Sequence, residues 1–198
     1  MSSSDNPSRI VIVGGVAGGA SAATRARRLD EHALITLFEQ DEHVSFANCG
    51  LPYYVGGEIT ERAALLVATP ELLERRFRIR VRTDHQVTGI DRDRKVVSVL
   101  NRSTGARFEE PYDKLVLAPG SRPHVPSGLG ALPANVVTLR NLADADRIRR
   151  LLVGPTAIAP RSPGSPLRAV VVGSGFIGLE MVEQLAHLGV ETTLVELM

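Results

Sequence analysis

The 198-residue chain has one cysteine, no tryptophan and few aromatic residues, which make up 4% of it. One cysteine excludes an internal disulfide, so we expect a reducing, cytoplasmic setting. The 23 basic and 22 acidic residues nearly cancel, whereas a nucleic-acid surface needs a strong basic excess on one face. No apolar run approaches the ~18 residues of a membrane helix. We therefore predict no binding to nucleic acid or membrane, and we expect no metal site.

Glycine and proline, by contrast, are plentiful, with 18 and 12 residues. Together with 43% hydrophobic residues, this is the composition of an ordinary α/β protein with many tight connections. The start of the chain, residues 1–8, is polar and lacks the apolar core of a secretory signal. It predicts a disordered tail.

A strand, a glycine turn, a helix and a second strand follow one another in the first forty residues. The apolar run 10–13 meets a glycine-rich turn at 14–19, and an alanine- and arginine-rich helix then ends near Leu29. A second apolar run, 34–38, ends in Glu39. This order is typical of a βαβ unit.

The same order returns near the end of the chain. A strand at 169–172 leads into a glycine turn at 173–178 and a helix at 179–188, which Gly189 ends. A further strand at 192–195 follows. The sequence therefore predicts two βαβ units of one kind.

The segment between these units predicts a functional loop, two helices and a group of strands. Residues 45–57 are rich in Gly, Tyr and Pro and lead into a helix, and Thr69 before a proline and a glutamate is typical of a helix start. Asn141 is a second helix cap. Apolar alternation predicts a β-meander with strands near residues 79–82, 86–90, 95–100 and 106–109.

The second glycine turn is the clearer of the two motifs. Gly173 permits the tight turn, Gly175 lets the backbone approach a pyrophosphate, and Gly178 allows close packing of helix on strand. The start of the helix that follows this turn offers free N–H groups and its positive dipole end to the phosphates. The alternative interpretation is a glycine-rich turn without a ligand.

An acid stands where this motif needs one. Glu196 lies 23 residues after Gly173, at the end of the second strand, where a carboxylate binds the adenosine ribose hydroxyls. Because a carboxylate repels a 2′-phosphate, the motif favours NADH over NADPH.

The first glycine turn departs from the strict pattern. Gly14 and Gly19 stand at the outer positions, but Val16 replaces the middle glycine. Glu39 lies 25 residues after Gly14, at the end of the next strand. The pattern favours dinucleotide binding, and a tight βα turn with no ligand is the alternative.

Two such motifs in one chain favour FAD in the first unit and NAD(P)H in the second, because one adenine dinucleotide needs only one motif. The predicted fold is α/β: a Rossmann-like FAD-binding domain over residues 9–153 with an inserted β-meander, a linker over 154–167, and the start of a second Rossmann-like domain, for NAD(P), over 168–198. A single βαβ unit does not complete a doubly wound sheet, so we expect this second domain to be truncated.

Cys49 is the only thiol, and it lies in the loop of residues 45–57. Two-cysteine flavoprotein reductases carry a second cysteine five residues on, where this chain has Tyr54. One thiol can still form a mixed disulfide with a small thiol, or a sulfenic acid. Both need a thiolate, which a helix N-terminus or a nearby positive charge stabilises. The alternative is an inert, buried cysteine.

Residues 13–20 (VGGVAGGA) and 45–57 (SFANCGLPYYVGG) closely resemble the coenzyme A-disulfide reductases. The single-cysteine NADH oxidases, peroxidases and persulfide reductases are relatives of that family. The resemblance runs from about residue 9 to the end, and the family also carries Val-Ala-Gly-Gly in its first turn. It more often has Ala-Thr-Gly at 118–120, so Pro119 is a departure that removes one backbone donor.

The resemblance implies roles for particular residues. Cys49 would be the redox nucleophile beside the flavin, with Ser45 and Asn48 lining the thiol site. The residues implied for a CoA-like substrate are Ser21, Arg25 and Arg28. Arginine suits its phosphates through bidentate hydrogen bonds, and a solvated helix face is the alternative.

The resemblance also implies the cofactor contacts. Those for FAD are Gly14, Val16, Ala17, Gly18, Gly19, Glu39, Gln40, Val87, Ala118 and Gly120. Those for NAD are Gly173, Gly175, Phe176, Ile177, Gly178 and Glu196. Phe176 stands where relatives often carry a tyrosine that covers the flavin until NADH arrives, and a packing role is equally compatible with it.

The activity implied is that of an FAD-dependent NAD(P)H:disulfide oxidoreductase, acting on CoA disulfide or a related small disulfide or persulfide. An NADH oxidase or peroxidase that cycles Cys49 through sulfenic acid is the enzymatic alternative. The relatives are longer and dimeric, so a homodimer is expected of the full-length parent. An inactive remnant is the non-enzymatic alternative.

Overall fold

The computed structural model describes residues 6–125, 132–153 and 165–196. Most of the predicted tail and most of the predicted linker lie outside the described residues. Contacts within the chain separate two compact units, which comprise residues 1–46 with 66–121, and residues 47–65 with 122–198. The domain boundaries given above stay a prediction.

Helices and strands alternate along the chain, which confirms the predicted α/β class. Among the described residues the elements are β1 (Arg9–Val13), α1 (Gly18–Leu29), β2 (Leu34–Phe38), α2 (Leu51–Gly56), α3 (Pro70–Phe77), β3 (Ile79–Arg82), β4 (His85–Asp91), β5 (Val96–Asn101), β6 (Arg107–Pro111), β7 (Lys114–Leu117), α4 (Leu142–Leu152), β8 (Arg168–Val172), α5 (Phe176–His187) and β9 (Glu191–Val195). Two 3₁₀ turns, Asn48–Gly50 and Arg62–Leu65, flank α2.

A parallel sheet with strand order β3-β2-β1-β7 forms the centre of the first unit. Successive side chains of β1 point to opposite faces, as strand geometry requires. Ile10 and Ile12 therefore pack with the buried residues Ala23 of α1 and Leu73 of α3. Val11 packs on the other face, against β5. Helices therefore cover one face of the parallel sheet, and a second sheet covers the other.

That second sheet is an antiparallel meander, β4-β5-β6. The sequence placed a fourth strand, 79–82, in the same meander. The structure corrects this, because β3 pairs in parallel with β2, Ile79 opposite Ile35. Alternation alone does not separate the two arrangements, since both leave every second side chain facing a core. The burial of Ile79 against the helical layer decides it.

The predicted helix starts are confirmed at two helices. The hydroxyl of Thr69 accepts a hydrogen bond from the N–H of Leu72 at the start of α3, at 3.2 Å. The side chain of Asn141 accepts from the N–H of Asp144 in α4, at 3.0 Å. Each cap satisfies a backbone donor that the helix itself leaves free.

In the second unit, α2 packs against both α4 and α5. Their buried side chains include Leu51, Val55, Ala145 and Leu185. The strands β8 and β9 pair in parallel, as the second βαβ pattern predicts. No helix in the described part of the chain combines the length and the apolar character that crossing a bilayer requires.

Candidate functional site

The first glycine turn lies between β1 and α1 and closes tightly on its neighbours. Gly14 has φ +90° and donates its N–H to the carbonyl of Phe38 at 2.8 Å. A Cβ on Gly14 would overlap the carbonyl oxygen of Ala118, and one on Gly19 would overlap the carbonyl oxygen of Gly14. Only glycine fits at these two positions, which explains the outer glycines of the motif.

Glu39 lies at the end of β2, directly beside this turn, and is 6% exposed. Its Oε2 accepts the N–H of Gly15 at 2.7 Å, and its Oε1 accepts the N–H of Asp41 at 3.0 Å. These two bonds satisfy a buried carboxylate and fix its orientation. Each carboxylate oxygen can still accept a further donor, as a ribose hydroxyl would supply.

The second glycine turn has the same geometry. Gly173, with φ +104°, donates its N–H to the carbonyl of Val195 at 2.8 Å. A Cβ on Gly178 would overlap the carbonyl oxygen of Gly173. The backbone N–H and the hydroxyl of Ser174 both donate to Glu196, the hydroxyl at 2.8 Å. Turn, helix packing and terminal acid thus repeat the first unit.

Both turns leave a helix start that suits a phosphate group. Neither α1 nor α5 has a side-chain cap or an acidic residue in its first turn, whereas α3 and α4 are capped. Free N–H groups and the positive dipole end therefore face outward at both turns. Around Gly175, a Cβ would meet nothing within 4 Å, so the turn has open space there. The residues present fit a dinucleotide at each turn.

The remaining residues implied for FAD all lie in the first unit. Ala118 donates its N–H to the carbonyl of Val13 at 2.8 Å and so closes β7 onto the glycine turn. Gly120 has φ +69°, and Gln40 is exposed. Val87 lies in β4 beside a register shift in the meander. Of the other turn residues, Val16 is half-buried, while Ala17 and Gly18 are exposed.

At the second turn, the aromatic side chain of Phe176 and the aliphatic side chain of Ile177 are both exposed. Phe176 is 88% exposed and Ile177 is 56% exposed. Neither side chain is therefore part of a packed core within the described residues. The role of Phe176 stays a prediction.

The residues implied for a CoA-like substrate share one face of α1. Ser21, Arg25 and Arg28 are exposed and spaced by four and three positions, which places them on the same side of the helix. Within the described chain, no hydrogen bond or ion pair engages the guanidinium groups of Arg25 and Arg28. Two cations on this face are available to an anion.

Arg27 has a structural role, which the sequence did not reveal. Its guanidinium donates to the carbonyls of Phe77 at 2.8 Å and Arg78 at 2.9 Å, and to those of Asp30 and Glu31. It thereby joins the C-terminal ends of α1 and α3. Burial, and then the charge of Arg78, lowers its pKa. No local pattern distinguishes Arg27 from Arg25 and Arg28, which lie in the same arginine-rich helix.

Cys49 is exposed and lies in the 3₁₀ turn that leads into α2. Asn48, also exposed, is in the same turn. A Cβ on Gly50 would come within 2.5 Å of the side chain of Leu65, so the glycine after the cysteine lets the turn pack closely. The alternative of a buried, inert cysteine is not what the structure contains. Tyr53 lies four residues after Cys49, and the negative charge of the Glu180 carboxylate is the main cause of its raised pKa.

Tyr54, at the position of a second cysteine in other reductases, is 7% exposed and firmly held. Its hydroxyl donates to Asp146 at 3.0 Å, and Arg62 donates to the same carboxylate at 2.9 Å. The guanidinium of Arg149 lies 4.6 Å from the ring centroid. Burial, and then the bond to Asp146, raises the pKa of Tyr54. This network joins α2 to α4, and no local sequence signal predicted it.

Ser45 lies in the first unit, in a left-handed backbone conformation with φ +48°. Its N–H donates to the carbonyl of Gly15 at 3.0 Å, and its carbonyl accepts from Val67 at 2.8 Å. A non-glycine residue at such a φ is uncommon and is held by its surroundings.

The described residues contain no group of His, Cys, Asp and Glu that could hold a metal ion.

The chain has two parallel βαβ units, each with a glycine turn between strand and helix and an acid at the end of the second strand. This arrangement defines a Rossmann-type α/β protein. The profile of the family described as pyridine nucleotide-disulphide oxidoreductase matches residues 8–198, and the chain belongs to that family. Membership implies FAD and NAD(P)H as cofactors.

Similar proteins give the same result. A coenzyme A disulfide reductase of Staphylococcus haemolyticus is 41% identical over 187 residues, which are 94% of this chain and 40% of the relative. The reduced Bacillus anthracis CoADR-RHD structure is 46% identical with a TM-score of 0.86, covering 96% of this chain and 33% of the other. An NAD-dependent persulfide reductase from A. fulgidus is 38% identical with a TM-score of 0.83, covering 96% and 34%. The chain thus spans at most 40% of these relatives.

Proposed function

We propose that this protein is an FAD-dependent NAD(P)H:disulfide oxidoreductase that reduces CoA disulfide or a related small disulfide or persulfide. The observation that carries the proposal is the single thiol, Cys49, exposed in a turn next to a helix, while Tyr54 occupies the place of a second cysteine. A mixed disulfide with a small thiol needs no second cysteine. The names of the relatives support the same substrate class.

The first unit holds FAD in this proposal. The turn formed by Gly14, Val16, Ala17, Gly18 and Gly19 accepts the pyrophosphate through backbone N–H groups at the start of α1. The adenosine end binds Glu39 through the ribose hydroxyls, with Gln40 and the backbone of Val87 beside it, and Ala118 and Gly120 close on the nucleotide. The open N-terminus of α1 and the buried, oriented carboxylate support this assignment.

The second unit holds NAD(P)H. Gly173, Gly175 and Gly178 give the pyrophosphate close access to α5, and the N–H groups of Phe176 and Ile177 face it. Glu196 accepts the ribose hydroxyls, so NADH is favoured over NADPH. When bound, the two cofactors supply a two-electron path from nicotinamide to flavin.

Cys49 carries the substrate chemistry. Its thiolate attacks one sulfur of the disulfide XS–SX, forms Cys49–S–S–X, and releases XS⁻, which takes up a proton. Two electrons and a proton then cleave the mixed disulfide to the Cys49 thiolate and XSH. The net reaction converts XS–SX, NAD(P)H and a proton into two XSH and NAD(P)⁺.

For a CoA-like substrate, the exposed face of α1 supplies phosphate ligands. Arg25 and Arg28 present free guanidinium groups, and Ser21 adds a hydroxyl on the same face. Arginine binds phosphate bidentately and stays charged at all working pH values. We assign Ser45 and Asn48 to the thiol end of the substrate. A homodimer and a cytoplasmic location complete the proposal.

The test is turnover of CoA disulfide with NADH by the purified protein, compared with Cys49→Ser. We expect NADH consumption and release of two thiols per NADH, and their loss in the variant. Turnover that survives Cys49→Ser overturns the mechanism. NADH consumption with oxygen or peroxide but not with CoA disulfide would instead assign the protein to the oxidases or peroxidases that use a sulfenic acid.

A further inference from the structure

The segment that follows Glu39 is held by a distant part of the chain. Arg102, in the turn between β5 and β6, donates to the carbonyl of Gln40 at 2.8 Å and lies 3.3 Å from the carboxylate of Asp41. The N–H of Asp41 in turn donates to Oε1 of Glu39. One guanidinium therefore contacts both Gln40 and Asp41, and the Asp41 N–H is one of the two donors that orient the buried carboxylate.

The position of Arg102 is itself well defined. The side chain of Asn101 accepts the N–H groups of Ser103 at 3.0 Å and Thr104 at 3.1 Å, which shapes the turn. The N–H of Arg102 donates to the carbonyl of Asp84 at 2.7 Å, and the N–H of Asp84 donates to the carbonyl of Asp41 at 3.2 Å. Backbone and side chain of Arg102 thus reach the same short segment by two routes.

The geometry of this contact matters more than its charge. Arg102 and Asp41 are about half and one-third exposed, with side-chain exposures of 48% and 36%, so their ion pair contributes little. The bond to the Gln40 carbonyl is short and directional, so it fixes where the backbone runs. Glu39 is the only side chain in this segment that is buried beside the glycine turn, among the described residues.

We propose that Arg102 is a positioning residue for FAD. It holds residues 40–41 so that the carboxylate of Glu39 faces the adenosine ribose, without touching the cofactor itself. This rests on the proposed assignment of FAD to the first unit. Removing the guanidinium frees the 40–41 backbone, lets the Glu39 carboxylate reorient, and weakens the hold on the adenosine half of FAD.

The test compares Arg102→Met with Arg94→Met. Arg94 is a half-exposed arginine in the neighbouring turn of the meander, and it pairs with Glu109 and Asp91, away from residues 39–41. FAD is titrated into flavin-free protein, and FMN, which lacks the adenosine, is titrated in parallel. We expect Arg102→Met to raise the Kd for FAD by about 5- to 10-fold, with that for FMN unchanged. Arg94→Met should leave both within about two-fold.

A second background separates positioning from general loosening. In Glu39→Ala protein, Arg102→Met should change the FAD Kd no further, because the group it orients is gone. Hydrogen exchange at the Asp41 amide should be faster in Arg102→Met than in Arg94→Met. The inference is overturned by an unchanged FAD Kd in Arg102→Met, by an equal loss in Arg94→Met, or by the same loss with Glu39 absent.

These outcomes are distinct from a failure of the proposed function. If the unsubstituted protein binds no FAD, the cofactor assignment fails, and the role in FAD binding fails with it. The Asp41 amide exchange then shows whether Arg102 at least holds the segment. If the unsubstituted protein binds FAD and Arg102→Met binds it equally well, only the positioning role is wrong.

Discussion

The carboxylate of Glu39 accepts the backbone N–H of Gly15 at 2.7 Å, joining the end of β2 to the turn after β1. The second unit repeats the relationship with Glu196 and Ser174. The terminal acid of each βαβ unit therefore organises its own glycine turn. In the function proposed above, the same carboxylate also binds a ribose. A carboxylate with both tasks links the stability of the turn to nucleotide binding.

Glu39→Gln should destabilise the protein even without cofactor. An amide offers only one oxygen, so one of the two N–H groups of Gly15 and Asp41 loses its acceptor, at a cost of about 1–3 kcal/mol. Urea unfolding of flavin-free protein measures this. The control is Glu42→Gln, an exposed acid nearby with a side chain 77% exposed, which should change stability little. Equal effects of the two substitutions would contradict the role assigned to Glu39.

The second and third glycines of the second turn, Gly175 and Gly178, should respond differently to alanine. Gly178→Ala forces a Cβ against the carbonyl of Gly173 and should lower the unfolding free energy by about 1–3 kcal/mol. Gly175→Ala meets nothing within 4 Å and should leave stability almost unchanged, while its methyl group obstructs a pyrophosphate and weakens NADH binding. Thermal unfolding and NADH titration distinguish them. A stable Gly175→Ala protein with unaltered NADH affinity would count against a dinucleotide at this turn.

Substitutions of the arginines of α1 should change two different properties: stability at Arg27, and substrate binding at Arg25 and Arg28. Arg27→Ala removes donors from four carbonyls and should destabilise the protein by about 2 kcal/mol. Arg25→Ala and Arg28→Ala should leave stability unchanged and raise the KM for CoA disulfide, with little effect on kcat. Arg92→Ala, an exposed arginine in the meander, is the control for loss of charge. If it raises KM as much as Arg28→Ala does, the α1 face is not the phosphate site.

A close approach between α2 and α5 should make Gly56 intolerant of a side chain. Gln184 is fully buried, donates to Glu58 at 2.7 Å, and its Oε1 lies against Gly56 with no hydrogen-bond partner among the described residues. Gly56→Ala should therefore cost about 1–3 kcal/mol of unfolding free energy. In a Gln184→Ala background the added methyl group should be tolerated, a non-additivity that urea unfolding of the four proteins measures. Additive costs would show that the contact is not the cause.

The Arg9–Asp113 contact should give a defined pH dependence. Hydrogen bonds from the Arg9 side chain, and then from its backbone, lower the pKa of Asp113 from 3.8 to about 2. A lowered carboxyl pKa stabilises the folded state above the unfolded value, and this contribution disappears as the pH falls through about 2. The stability difference between the unsubstituted protein and Asp113→Asn should stay constant from pH 7 to about 5 and shrink below about 4. Urea midpoints across this range test it, with Asp93→Asn as control. A difference independent of pH would exclude the linkage.

Local features of the fold followed from the sequence because they depend on a few neighbouring residues. Thr69 and Asn141 cap helices within three positions of themselves, and Gly14 and Gly173 adopt positive φ angles that other residues avoid. Backbone sterics and short-range hydrogen bonds set these features. The run around Cys49 was equally informative, since its resemblance to one family is confirmed by the relatives.

Partners distant in the chain were decided only by the tertiary structure. β3 joined the parallel sheet rather than the meander, Arg27 and not its neighbours became structural, and Tyr54 found Asp146 92 residues away. Arg102 reaches Gln40 across 62 residues. The spacing of residues within a motif predicts which groups lie together in a short segment, because only a few backbone dihedral angles determine their positions. Which distant group meets them depends on how whole elements pack, and no local pattern encodes that choice.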